Sequence, residues 1–217
     1  MVKILRMVAL VLLACAVSFG ACRADEVGDA LAGITRQMAD LQSVQVTFVQ
    51  EKKMAMFSAP IVMHGTLSWE RPDAFAWHVD SPVQYAMIMR QGVARQWDGE
   101  HDTVQEFKIG GNPVMRVASQ QLQRWFSGNY QQLAAEYNIS IGSRQPLVLT
   151  CLPHPESPEA GFIKRVSIQF REDLRYIGRI TIEEVSGDQT DIVFDNVRLN
   201  EIIPADAWRA ERAKPHG

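Results

Sequence analysis

The side chains best able to do chemistry in this sequence are its histidines, its cysteines and one acidic run, and none is spaced for it. His64, His78, His101, His154 and His216 include no pair four residues apart and no acidic partner at zinc-binding spacing. Cys151-Leu152-Pro153-His154 offers half a metal site at best, and a strand cysteine followed by a proline-rich loop explains it as well. Asp98-Gly99-Glu100-His101-Asp102 is acidic enough for calcium, yet it lacks the ligand spacing of a calcium loop and falls where a hairpin must turn. No Gly-x-Ser-x-Gly elbow and no glycine-rich phosphate cradle occurs. The expectation is a chain with no catalytic residue, no metal and no cofactor.

What the sequence offers instead is one charge in an apolar setting. In "GTLSWERPDAFAWHVDSP", residues 65–82, strand parity puts Leu67 and Trp69 on one face, then Phe75 and Trp77 after the break at Pro72. The same parity carries Met87 and Met89 onto that face, and it also carries Arg71 there. A guanidinium at the edge of a hydrophobic face is costly to bury without partners. The simplest partner is a neighbouring acid, Glu70 or Asp73. Tryptophan and methionine at this density suit a surface that repacks around flexible apolar cargo, although each of them alone fits an ordinary core.

The elements that would position these residues follow from periodicity. Residues 25–41 read as an amphipathic helix, with Val27, Ala30, Leu31, Ile34, Met38 and Leu41 at three- and four-residue steps. Period two then takes over from Val44, and strands at 61–69, 75–79, 83–89, 93–97 and 104–109 form a meander. Asn112-Pro113 opens a second helix over 113–126, whose stripe contains Val114, Val117, Leu122 and Trp125; a shorter helical turn spans 130–137. Strands resume at 137–141 and 146–152, and alternation then marks Phe162 to Phe170, Tyr176 to Ile182, and Ile192 to Phe194. About ten strands and two main helices make a β-dominated α+β domain.

Lys3 and Arg6 followed by an apolar run from Met7 to Phe19 and by Cys22-Arg23-Ala24 form a secretory signal peptide, expected to be cut after Ala24. The expected organisation is leader 1–24, one domain over 25–210, and a polar tail over 211–217. Removing the leader removes Lys3, Arg6 and Arg23 and no acid, so the mature chain is more acidic than the net charge of −3. That argues against nucleic acid as a partner. Leu12-Leu13-Ala14-Cys15 and Phe19-Gly20-Ala21-Cys22 loosely resemble lipoboxes, so lipidation at Cys15 or Cys22 is the alternative to plain cleavage.

Gly65-Thr66-Leu67-Ser68-Trp69, Arg71-Pro72, Phe75-Ala76-Trp77 and Pro82, with Phe48-Val49-Gln50 before them, resemble the motifs of the LolA family of periplasmic lipoprotein carriers. Order and spacing agree over roughly residues 25–205, by pattern more than by motif in the second half. The resemblance implies a half-open antiparallel β-barrel with an α-helical lid and acyl chains held in an apolar concavity. On that reading Leu67, Trp69, Phe75, Trp77, Met87 and Met89 line the interior, and Val117, Leu122 and Trp125 cover it from the lid. It also assigns Arg71 to lid hydrogen bonds, a latch. The implied partners are an acylated lipoprotein or lipid cargo, an inner-membrane ABC-type exporter and an outer-membrane acceptor, with the carrier a monomer. The segment 110–137 departs from the family's pattern, which leaves the identity of the cargo open. A lipid-anchored LolB-like receptor and a lipoprotein sensor are the rival readings, and an enzyme acting on lipid lacks a nucleophile–base pair.

Overall fold

The computed structural model describes residues 26–111 and 130–211. Its first element, α1, spans 26–37 and, with the turn that follows, buries one stripe, Leu31, Ile34, Met38 and Leu41. The helix stops short of residue 41 because polar side chains capture the backbone beyond it. Asn200 Nδ2 donates to the Asp40 carbonyl at 3.1 Å, its Oδ1 accepts from the Gln42 amide at 2.7 Å, and Arg71 Nε donates to the Leu41 carbonyl at 2.5 Å. Met38 and Leu41 stay buried in the turn, so the apolar period outlasts the helix that it signals.

Eleven antiparallel strands follow in one open sheet: β1 (Ser43–Lys53), β2 (Ile61–Glu70), β3 (Ala74–Ser81), β4 (Tyr85–Arg90), β5 (Val93–Asp98), β6 (Thr103–Lys108), β7 (Tyr137–Arg144), β8 (Leu147–Pro153), β9 (Ile163–Phe170), β10 (Ile177–Glu184) and β11 (Gln189–Leu199). Their order is β6-β5-β4-β3-β2-β1-β11-β10-β9-β8-β7, so the pairing of β1 with β11 joins the two meanders. Tyr130–Ala135 is a short 3-10 turn. The second expected helix, over 113–126, lies outside the described residues.

The sheet has two unlike faces. On the inner side, Val44, Val46, Phe48, Leu67, Trp69, Phe75, Ile168, Phe170, Ile180 and Phe194 join the α1 stripe, Tyr130 and Leu133 in one hydrophobic cluster. On the outer side, Ala76, Ala86, Ile88 and Trp97 form a second cluster, covered by Trp208 and Ala210 of the segment that returns after β11. That segment is pinned by Ser43 Oγ donating to the Glu201 carbonyl at 2.7 Å and by His78 Nε2 against the Arg209 carbonyl at 2.9 Å. His78 is thus a satisfied structural histidine.

The remaining candidates for chemistry have equally plain roles. Residues 99–102 form the β5–β6 turn, where His101 Nδ1 meets Asp98 Oδ2 at 2.8 Å; the contact raises the histidine pKa and lowers that of the aspartate. Cys151 is buried in the inner cluster, where burial pushes its thiol up to about 12. Protein beginning at Asp25 should therefore show no thiol reactive toward Ellman's reagent at about pH 8 while folded, and one after denaturation. Rapid reaction of the native protein would contradict this placement.

Candidate functional site

The inner face is built from cross-strand rows. Trp69 of β2 stands opposite Phe75 of β3, which stands opposite Met89 of β4; one step along, Leu67, Trp77 and Met87 repeat the arrangement. All six side chains singled out by strand parity therefore lie side by side on the inner face. Leu67, Trp69, Phe75 and Met89 are buried, while Trp77 and Met87 are half-buried at its margin. Thr66, Ser68 and Ala76 point the other way.

Trp77 stacks on Phe48 with ring centroids 4.0 Å apart, and Phe75 lies 6.4 Å from Trp77. Such offset rings contribute beyond the area that they bury. Phe48 can lie there because Gly65 faces it: a Cβ at Gly65 would stand 2.5 Å from Phe48 Cζ and 1.9 Å from the His78 carbonyl oxygen. The sheet is irregular here, with a register shift between His64 and Gly65 that brings the β3 backbone close.

Sequence reasoning missed half of this face. Val166, Ile168, Phe170, Ile180 and Phe194 complete the cluster from β9, β10 and β11, and Met63 packs on it from β2. Alternation in those strands was visible, but it does not say which sheet face they share with β2 and β3. Val117, Leu122 and Trp125 lie outside the described residues. Trp97, which belongs to the same apolar-rich stretch of sequence, turns outward under Trp208 and Ala210.

Arg71 lies just beyond β2, at the end of the sheet where α1 runs into β1. Besides the bond from its Nε to the Leu41 carbonyl, its backbone amide donates to the Gln42 carbonyl at 2.9 Å. Its guanidinium carbon stands 5.6 Å from the centre of the Trp69 ring, a cation–π distance. Glu70, one of the acids considered as its partner, faces Arg90 at 3.8 Å. The guanidinium thus ties the strand that carries the inner face to the segment that follows its helical cover.

Energetics say what this arrangement can do. Four buried side chains of α1 and the turn after it, at ~1.5–3 kcal/mol each, contribute roughly 6–12 kcal/mol to closure. One long acyl chain, at about 0.8 kcal/mol per methylene, contributes on the order of 10 kcal/mol. The two are of the same size, so helix and acyl chain can compete for one apolar face. A cleft of about 1050 Å³ on the opposite side has a mixed lining, with Gln45, Thr66, Ser68 and Arg209 beside Pro204 and Ala207, and lacks the continuous aromatic–aliphatic rows of the inner face. The described residues contain no cluster of three or more His, Cys, Asp or Glu able to hold a metal, and no helix long and apolar enough to cross a membrane.

A second apolar feature marks the end of the sheet opposite Arg71. Met56 and Phe57 in the β1–β2 loop are 82% and 58% exposed, and Phe162 and Val185 are 57% and 59% exposed. Their loops are joined by Ala55 N donating to Asp188 Oδ1 at 2.9 Å and Val185 N donating to the Phe162 carbonyl at 3.0 Å. Exposed apolar side chains so grouped form a rim rather than scattered surface positions.

Known proteins resemble this chain in sequence and in fold. An outer-membrane lipoprotein carrier protein of Pseudomonas entomophila (strain L48) is 24% identical over 207 residues, 94% of each chain. An uncharacterized conserved protein of Thermus thermophilus superposes with a TM-score of 0.53 at 6% identity, covering 86% of this chain and 95% of that one. The Pseudomonas aeruginosa MucA/MucB complex gives 0.50 at 13% identity, covering 86% of this chain and 61% of that one. These structural likenesses show the fold alone. The sequence model described as "Outer membrane lipoprotein carrier protein LolA" matches residues 39–210, a span that runs from the end of the α1 turn through the whole sheet to the segment on its outer face. An open antiparallel sheet with a helix-covered apolar face and a match of that extent lead to one assignment: the chain belongs to the LolA family.

Proposed function

We propose that this chain is a non-enzymatic periplasmic carrier that takes the acyl chains of lipoproteins, or of a related acylated amphiphile, onto its inner apolar face. It would receive them from an inner-membrane ABC-type exporter and deliver them to an outer-membrane acceptor. The observation that carries this reading is the inner face itself, two aromatic–aliphatic rows sealed by a helix stripe whose burial matches that of an acyl chain. The carrier named in Pseudomonas entomophila, aligned along nearly the full length, supports it. So does the expected leader over 1–24, which would direct the domain over 25–210 out of the cytoplasm. Titration of the mature protein with a fluorescent acyl probe is the test: saturable binding is expected, and none would remove the reading.

Handover requires contact with partners, and we assign that contact to the rim around Met56 and Phe57. Replacing both with serine should leave affinity for the acyl probe within about twofold, because neither lies in the inner cluster, while slowing delivery to the acceptor. Delivery at the wild-type rate would remove the rim from the path.

The second reading, a lipid-anchored receptor of the same fold, rests on Cys15 and Cys22 in the leader. Mass spectrometry of the mature N-terminus separates them, since Asp25 as first residue means a carrier and a lipidated cysteine means a receptor.

A further inference from the structure

Within the inner cluster the Trp69 indole places a polar atom among apolar side chains. Trp69 is 1% exposed, and its indole Nε1 is buried without a hydrogen-bond partner among the described residues. A tryptophan N–H enclosed in protein usually finds an acceptor, and leaving it unsatisfied is destabilising. Phenylalanine would fill much of the same space at no such cost. The donor sits at the end of the concavity where a carbonyl is already handled: Arg71, whose guanidinium lies 5.6 Å from the Trp69 ring, bonds the Leu41 carbonyl.

We propose that Trp69 is a specificity residue, and that its indole N–H donates to the carbonyl oxygen at the head of an incoming acyl chain. This rests on the carrier reading and narrows it: the preferred cargo bears a carbonyl on its chain, as an acyl ester does, and is not merely hydrocarbon. It also orients the cargo. The ester end lies beside Trp69 and Arg71, where the Leu41 carbonyl leaves when α1 gives way. The chain then runs past the Leu67–Trp77–Met87 row toward Gly65, whose missing side chain leaves only Phe48 and backbone to meet. Most of the side chains that the tail would meet are apolar, so the buried donor at one end sets the direction of entry.

The test compares two competitors that differ in the carbonyl alone, 1-palmitoylglycerol and 1-O-hexadecylglycerol, for displacement of a bound fluorescent acyl probe. Wild-type protein should prefer the ester by about tenfold, the worth of one well-made hydrogen bond to an otherwise unsatisfied donor. Trp69→Phe should lose the preference and bind both as wild type binds the ether. Trp77→Phe, which removes the indole of the adjacent row, should weaken both equally and keep the ratio.

Should Trp69→Phe fold poorly, wild-type protein still decides through its indole ¹⁵N–H resonances. The ester should move one of them strongly and the ether should not. Equal displacement by ester and ether in wild type would overturn the proposal. So would stronger displacement by palmitate than by the ester, which would make the site a carboxylate receptor at Arg71. Displacement by neither competitor would remove the carrier reading itself.

Discussion

Arg71→Leu protein should hold an acyl probe about tenfold more tightly than wild type and pass it on correspondingly more slowly. The substitution deletes the charge-assisted bond from Arg71 Nε to the Leu41 carbonyl, which on the proposed carrier function would favour the closed, empty form and would be absent once α1 has moved. Charged hydrogen bonds contribute about 1.5–3 kcal/mol; the side chain is solvent-exposed, so the lower end applies. Leucine also adds hydrocarbon at the edge of the inner face, which pushes in the same direction. Lysine should rescue poorly, because a point charge on a flexible stem cannot both donate to Leu41 and stay over the Trp69 ring. Transfer from Arg71→Leu protein as fast as from wild type would reduce this arginine to a surface role.

Gly65→Ala should lower stability by about 3 kcal/mol or more, a fall in Tm of roughly 6–12 °C for a domain of this size. Its Cβ would have to occupy space 1.9 Å from a backbone oxygen and 2.5 Å from the Phe48 ring. The ring can swing away at the cost of its stack on Trp77, but the His78 carbonyl belongs to a hydrogen-bonded strand and cannot yield without disturbing the β2–β3 register. Combining Gly65→Ala with Phe48→Leu therefore should not restore stability, since it relieves only the side-chain clash. Recovery to the wild-type Tm would mean that Phe48 alone imposes the glycine.

Much of this was legible because strands have a period of two. From Leu67 to Met87 the large inward residues alternate with small or polar ones along each strand, and only Ile88, between Met87 and Met89, breaks the pattern, so a single parity assignment sends Trp69, Phe75 and Met89 to one row and Leu67, Trp77 and Met87 to the next. The family resemblance, carried by Gly65, Arg71-Pro72 and Trp77, supplied the architecture that periodicity cannot. The far wall was not legible. Phe48 meets Phe194 only because β1 pairs with β11, and no local pattern encodes a pairing between strands so distant in the chain. Trp97 shows the same gap from the other side, since its outward position is tolerable only under Trp208 and Ala210, which arrive after the last strand. Helix α1 ends before its apolar period does because the captors of the carbonyls just beyond it, Asn200 and Arg71, come from elsewhere in the sequence.

On the proposed function the inner face exchanges one apolar partner for another, and amide hydrogen exchange of residues 30–38 reads that directly. With saturating acyl probe, protection of these amides in α1 should fall while β2, β3 and β4 keep theirs, because the chain takes the place of Leu31, Ile34 and Met38 against Leu67, Trp69 and Phe75. Probe bound at saturation with α1 as protected as in the empty protein would contradict that exchange and place the acyl chain somewhere else.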